Sequence, residues 1–567
     1  MDFFDVQMYL IIKILLLVFI GASIFLLHKR LHPAYFLVLV GVISSASYYF
    51  LVNNLALTFW GLQGDELTIA AMYNTFAHVS LFSDFNYHLL PPFYPPAFFW
   101  IFGLVGRAMD WNGVMISKFA STISLLVFPI GLYYSQKYFT KGLSEEPKVL
   151  GKVFTLLSPL LLIAVLDKDL FFGKPYEVIT GAIAIFWYAS MAIRISTGKW
   201  SNKLTIVYGV IAGLIFMTYY LWLIFATMAL FFMGIFEEKG KRVAYFMSLV
   251  KTAGVAILVS TPFLVPLTVS YARHGMENWQ TAYFTPDGLN LWMPMFQLTS
   301  INCLVLLFGL AVLIYYRNET FIKQLLYLFV MAFLWWGLAM AHLLILKTPF
   351  QEFRGFYLLA PGILAISAGY GIERLWHHFK LGEYERRNIA FTLAVIGILY
   401  FASQSIFGFF IDDPHIKAQR AISREAGQQM KELVAYLESA PGSSSRLTLH
   451  TVPQVLAFVP LDGLIYFNEH NNHPASIFTE RMTYVQSLAD SKTSDELYNK
   501  VKNCPYGKLD QFIFYGDREN YYLIFHVNKI IDGIEEITVP ISKKLFTPDH
   551  FTKTYDKDGY SVLILKE

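Results

Sequence analysis

The sequence predicts a mainly α, polytopic transmembrane helix bundle of about 11–13 spans, followed by an α/β domain outside the membrane. Three observations predict it. The 567 residues are 56% hydrophobic and only 15% charged, against roughly 25% charged in a typical soluble domain. Residues 31–64, 204–236 and 324–346 contain no Asp, Glu, Lys or Arg, and each exceeds the roughly 20 apolar residues that a bilayer requires. From residue 411 onward no segment is apolar enough to cross, and short β-rich runs separated by turn residues take over.

Taken in order, spans are expected near 6–27, 34–57, 113–136, 153–166, 175–195, 204–218, 220–236, 244–270, 299–316, 324–346, 355–376 and 388–410. The first, in "MDFFDVQMYLIIKILLLVFIGASIFLLHKR", lacks a basic n-region and a small-residue cleavage site, so it reads as a retained span. Residues 204–236 are too long for one comfortable span and short for two, and 91–108 reads as a thirteenth span or a re-entrant piece.

Lys and Arg set the orientation. With 91–108 not crossing, loops 28–33, 137–152, 194–203, 237–242, 317–323 and 374–387 share one side and hold eighteen Lys and Arg. Loops 58–112, 167–174, 271–298 and 347–354 hold six. The rich side is cytoplasmic by this rule. Residues 1–410 are then a membrane domain with a large outer loop at 58–112, and 411–567 a soluble periplasmic domain. In that tail "SREAGQQMKELVAYLES" has helical apolar spacing. "SRLTLHT", "LIYFN", "QFIFYG", "NYYLIFHVN" and "YSVLILK" read as strands.

Several classes drop out. Two cysteines, Cys303 and Cys504, build neither a disulfide framework nor a Cys-based metal site. A net charge of +3 leaves no electrostatic footprint for nucleic acid. No P-loop, GxSxG or HExxH pattern is present. A transporter needs polar groups at the bilayer midplane, whereas the ionisable residues here gather at span ends.

The outer loops carry the chemistry. In "GDELTIAAMYNTFAHVSLFSDFNYHLLPPFYPPAFFW", Asp65 and Glu66 emerge from the second span and open a helical pattern. Such carboxylates serve as a general base, as ligands of a divalent cation such as Mg or Mn, or as a plain helix N-terminus. Asp84 reads as a second acidic group or a turn residue. The Pro-aromatic run with Tyr94 and Trp100 reads as an interfacial belt or the wall of a sugar cleft. Lys168, Lys174, Arg273, Lys347 and Arg354 are outer cations. Singly they snorkel; gathered at one cavity they would bind a phosphate.

The segment around Asp84, Asn86, Tyr87, Pro91, Pro92, Phe93, Tyr94, Pro95 and Trp100 resembles an acidic, "NYxxLPPFYP"-type stretch of the galactan 5-O-arabinofuranosyltransferases of the mycobacterial and corynebacterial wall. The tail segment "FNEHNNHPASIFTERMTYVQSLA" resembles that family again, at Asn468, His470, His473, Pro474, Phe478 and Arg481. The resemblance implies the GT-C fold of membrane glycosyltransferases and transfer of D-arabinofuranose from a polyprenyl-phosphate donor, of the decaprenyl-phosphoryl-arabinose type, to an extracytoplasmic glycan. It also implies a loop carboxylate that positions or deprotonates the acceptor, here Asp65 with Glu66 as helper or alternative. From topology, Lys174 and then Arg354 are expected on the leaving phosphate, with Lys168, Arg273 and Lys347 nearby. Asp84, Asn86, Tyr87, Tyr94, Trp100, His470, His473 and Arg481 are expected on sugar or acceptor. His470 and His473 also admit a structural turn or a metal site lacking a third ligand. Another polyprenyl-phosphate sugar, or a protein acceptor such as a pilin, remains the alternative within the class; a lipid-linked sugar flippase or scaffold is the alternative outside it.

Overall fold

The computed structural model describes residues 3–29, 31–143, 150–166, 168–278, 286–378, 383–404, 414–529 and 533–566. Helices α1 (Phe3–His28) and α2 (Pro33–Val52) form the first hairpin. The His32 ring caps the Ala34 amide, and Pro33 occupies the first turn, where its missing N–H costs nothing. The outer loop folds into α3 (Gly64–His78) and α4 (Ala97–Met109). There follow α5 (Gly113–Thr140), α6 (Lys152–Val165), α7 (Lys168–Gly173), α8 (Pro175–Ser196), α9 (Asn202–Phe236), α10 (Arg242–His274), α11 (Ile301–Tyr315), α12 (Thr320–Leu346), α13 (Arg354–Tyr357), α14 (Leu359–His378) and α15 (Glu383–Gln404). Among the described residues eight helical stretches are long and apolar enough to cross a membrane, and four shorter apolar helices accompany them. The chain is a multi-pass membrane protein.

α9 resolves the ambiguity of 204–236. Its backbone leaves the helical region at Tyr219 (φ −162°, ψ 99°), and the chain doubles back there. The neighbouring α8 shows this. Trp222 donates to the Glu177 carbonyl near the start of α8, while further along Ser190 bonds Tyr208 and Tyr188 bonds Met233. Tyr208 and Met233 therefore sit at nearly the same level on opposite arms of a hairpin whose tip is Tyr219. Residues 91–108 do not become a thirteenth span. The Pro-rich run stays non-helical to Pro96, and the 13 residues of α4 rise only about 20 Å, short of the hydrocarbon core.

The Lys/Arg-rich loops share one end of the bundle. Arg194 donates to the Lys141 carbonyl at 2.7 Å, Ser196 to Glu237 at 2.8 Å, and the Phe154 amide to Glu373 at 2.7 Å, with Arg374 paired to Glu319 beside them. The other loops converge on the opposite end, around the cavity described below.

The tail adds α16 (Pro414–Ser423), α17 (Gln428–Ser439), α18 (Phe478–Ala489) and α19 (Ser494–Lys502) to the strands β1 (Leu447–His450), β2 (Asp462–Gly463), β3 (Leu509–Tyr515), β4 (Asn520–Lys529), β5 (Gly533–Ser542), β6 (Phe551–Lys557) and β7 (Tyr560–Leu565). A mixed sheet runs β2-β1-β3-β7-β6, and β4 and β5 make a separate hairpin. The "LIYFN" run is not a strand. Leu464 and Ile465 face the tail's own core while Tyr466 packs into the core shared with the membrane helices, and the Tyr466 amide serves a side-chain hydroxyl. β5 and β6 escaped the sequence reading because Glu535, Glu536 and Pro540 interrupt the one, and Thr, Lys and Asp dilute the other. The domain boundary expected at 410 and 411 lies outside the described residues.

Candidate active site

α3 is positioned from both sides. Below it, Gly113 at the start of α5 lies so close to the Ala70 carbonyl that no side chain fits between them. Above it, Asn74 donates to the Leu456 carbonyl at 2.9 Å and Thr68 meets the Tyr466 hydroxyl at 3.1 Å, so the tail clamps the same helix. This fixes Asp65, in the first turn, at the mouth of a cavity of about 290 Å³.

Inside the cavity Lys174, the residue capping α8, donates to Asp65 Oδ2 at 2.5 Å. Asn471 reaches Asp65 Oδ1 at 3.4 Å. The Lys174 ammonium holds the Asp65 carboxyl well below the usual carboxylate range. Burial alone would lower Lys174, but the Asp65 and Glu177 carboxylates outweigh it and hold the ammonium above its ordinary value. Arg354, opening α13, donates to Gln351 Oε1 at 2.8 Å and to the Tyr219 hydroxyl at 3.1 Å. The break in α9 thus delivers its tip residue to the guanidinium. Phe93, Tyr94, Tyr176 and Tyr271 add aromatic walls, with the Tyr94 and Tyr176 hydroxyls 3.2 Å apart. One cavity therefore combines an ionised carboxylate, two cations suited to a phosphate, and aromatic faces suited to sugar rings.

The two sequence motifs meet at its rim. Tyr87 donates to Asn472 Oδ1 at 2.5 Å and accepts from the Tyr466 amide at 2.9 Å. His473 donates from Nε2 to the Pro91 carbonyl at 2.9 Å and accepts at Nδ1 from the Ala475 amide at 3.0 Å. A carbonyl can only accept and an amide can only donate, so these partners select one neutral tautomer. Burial agrees, pushing His473 down to about 3.

A family model for the arabinofuranosyltransferase N-terminal region matches residues 11–400. The chain belongs to the arabinofuranosyltransferase family. It is 23% identical over 474 residues to the galactan 5-O-arabinofuranosyltransferase of Mycolicibacterium smegmatis, covering 78% of this chain and 72% of that protein. In three dimensions it is similar to the archaeal oligosaccharyltransferase of Archaeoglobus fulgidus, solved with an inhibitory peptide and a dolichol-phosphate, at a TM-score of 0.45 and 10% identity, covering 92% of this chain and 80% of that one. A second structure from the same organism, with zinc and sulfate, gives 0.45 and 12%, covering 92% and 79%. The chain is a membrane glycosyltransferase.

Within this family member the expected site residues separate into two groups. Asp65, Tyr94, Lys174, Arg354 and His470 line the cavity, and burial pushes His470 down to about 4, so it stays neutral. The other expected residues whose side chains are described do not line it. Glu66 follows Asp65 by about 100° around the helix and points at Gly173, where a Cβ would strike its carboxylate. Asp84 is a turn residue whose Oδ1 accepts the Asn86 and Tyr87 amides at 3.0 and 3.1 Å. Burial pushes its carboxyl up to about 7 against those amides. The Asn86 carbonyl accepts the Gly463 amide of β2, and Trp100 donates to the Leu81 carbonyl, both at 2.5 Å. Arg481 donates to the Ser476 carbonyl at 2.7 Å and the Leu464 carbonyl at 2.5 Å while stacking on Tyr87 and Tyr506. Arg273 and Lys347 are exposed outside the cavity, and the Lys168 side chain lies outside the described residues.

The sequence reading missed Glu177, Tyr219 and Asn471. Glu177 carried a usable signal: an acid three residues after Lys174 on the same helix face. Tyr219 carried none, because its role depends on the chain reversing there. Among the described residues no group of three His, Cys, Asp or Glu could hold a metal ion.

Proposed function

We propose that this glycosyltransferase moves D-arabinofuranose from a polyprenyl-phosphate donor of the decaprenyl-phosphoryl-arabinose type to a glycan acceptor during envelope polysaccharide synthesis. We read residues 1–410 as a GT-C membrane domain in the cell (inner) membrane and 411–567 as its periplasmic domain, with the cavity on the outer face. The observation that carries the reading is the Asp65–Lys174 pair beside Arg354 in one aromatic-walled cavity.

The pair explains how a carboxylate held so acidic becomes a base. A donor phosphate entering the cavity competes for Lys174 and Arg354. As Lys174 turns to the phosphate, Asp65 loses the cation that lowered its proton affinity. It then accepts the proton of an acceptor hydroxyl as that oxygen bonds to the anomeric carbon. The carbon–oxygen bond to phosphate breaks, and polyprenyl phosphate leaves with the electron pair, its charge balanced by Lys174 and Arg354. The deciding test is transfer of radiolabel from synthetic polyprenyl-phosphoryl arabinofuranose by membranes carrying wild type or Asp65→Asn, with native envelope extract as acceptor. Wild type should transfer label and the variant should lose about 10²–10⁴-fold at equal expression. Transfer from a mannosyl donor but not the arabinosyl one would overturn the sugar.

A further inference from the structure

Glu177 has no part in the mechanism above, yet it is the most deeply enclosed charged side chain of the cavity, 1% exposed. Its Oε2 has no hydrogen-bond partner among the described residues. The charges that act on it are those of Lys174, Arg354 and Asp65, and the Tyr219 hydroxyl also reaches its side chain. Lys174 is engaged by Asp65, and Arg354 by Gln351 and Tyr219. A buried carboxylate oxygen left unbonded on a cavity wall calls for a donor that the ligand brings.

We propose that Glu177 is a substrate-binding residue that accepts hydrogen bonds from ring hydroxyls of the donor's transferred sugar. The inference rests on the proposed function and specifies its donor subsite. The chemistry of the neighbours divides the cavity. A phosphate is drawn to Lys174 and Arg354 and repelled by a carboxylate, whereas a neutral polyhydroxyl group is held by it. Glu177 stands one helical turn beyond Lys174, so a sugar linked to a phosphate on Lys174 comes within its reach. The tail supplies His470, Asn471 and Pro474 beside Asp65, the wall left to the acceptor. The aromatic pair Tyr94 and Tyr176 gives the same sugar a face to lie on.

The test uses the full-length purified protein with synthetic polyprenyl-phosphoryl arabinofuranose, its 2-, 3- and 5-deoxy analogues, and sugar-free polyprenyl phosphate. Glu177→Gln should raise KM for the intact donor about 10- to 100-fold, the loss of a charge-assisted hydrogen bond. At least one deoxy donor, poor with wild type, should be used equally well by wild type and variant. Binding of polyprenyl phosphate should not fall, since the carboxylate only repels it. If every deoxy donor keeps the same ratio to the intact one in both proteins, the assignment is wrong. It is equally wrong if polyprenyl phosphate binding falls in parallel, since Glu177 would then act by placing Lys174 and Arg354. Glu177→Asp should recover part of the discrimination, which separates sugar contact from a folding defect. Failure of the broader reading looks different: wild type would bind polyprenyl phosphate and reject every arabinosyl donor.

Discussion

Tyr87 of the outer loop and Asn472 of the tail lie 385 residues apart and share a hydrogen bond of 2.5 Å. The same hydroxyl accepts the Tyr466 amide, and the Arg481 guanidinium covers the ring at 4.9 Å. His473 bonded to Pro91 makes a second tie beside it. The two most recognisable stretches of the sequence are thus halves of one joint, which seats the tail on α3 and brings Asn471 to Asp65.

Tyr87→Phe leaves the Asn472 side chain and the Tyr466 amide buried with one partner fewer. It should destabilise the purified protein by about 1–3 kcal/mol, read as a lower midpoint of thermal unfolding. Activity at a temperature where the variant stays folded should also fall, because the joint positions α3. An unchanged midpoint would mean that the tail is not held this way.

The Asp65–Lys174 pair should behave as a unit. Lys174→Met should lower thermal stability more than the double change Asp65→Asn with Lys174→Met, since the single change strands a carboxylate. The coupling expected across the four proteins is on the order of 1 kcal/mol, modest because the Asp65 side chain is 42% exposed. All three variants should be inactive. An additive cycle would show that the pair does not form in the membrane-embedded protein.

Asp84 predicts a pH dependence. Its carboxyl, ordinarily titrating near 3.8, is pushed up to about 7 by burial in the fold. Between those values the folded state keeps a proton that the unfolded state has released, so raising the pH favours unfolding. The stability from this group is full below about pH 4 and lost as the pH rises through about 7. Asp84→Asn keeps an oxygen for the Asn86 and Tyr87 amides without a titrating proton. Its thermal midpoint should gain on wild type from about pH 4 to about pH 7. A difference independent of pH would refute the buried-acid account.

Gly113→Ala should injure the site from a distance. The new methyl meets the Ala70 carbonyl of α3, a backbone atom that cannot swing aside, and lies near the Ala457 carbonyl of the tail. Overpacking of this kind costs about 1–3 kcal/mol. It should also raise KM by displacing Asp65. Full activity with a wild-type midpoint would count against α3 being wedged between α5 and the tail.

What the sequence determined by itself was whatever depends on local composition. Long uncharged stretches define spans because a bilayer accepts no unpaired polar group. The Lys/Arg asymmetry sorted the loops into two sets that occupy opposite ends of the bundle. A helix beginning at Asp65 and cations at Lys174 and Arg354 were legible for the same reason: each stands at the end of an apolar run. The tertiary structure alone decided which of these groups meet. Asp65 and Glu66 are adjacent in sequence, but helical geometry turns one into the cavity and the other onto Gly173. Asn86, Tyr87 and His473 looked like substrate contacts and spend their hydrogen bonds holding loop and tail together, while Asp84 and Trp100 brace the loop and Arg481 the tail. Glu177 and Tyr219 joined the cavity through a helix register and a chain reversal. Which side chains face one another depends on distances between segments far apart in the chain, and composition and spacing carry no information about those distances.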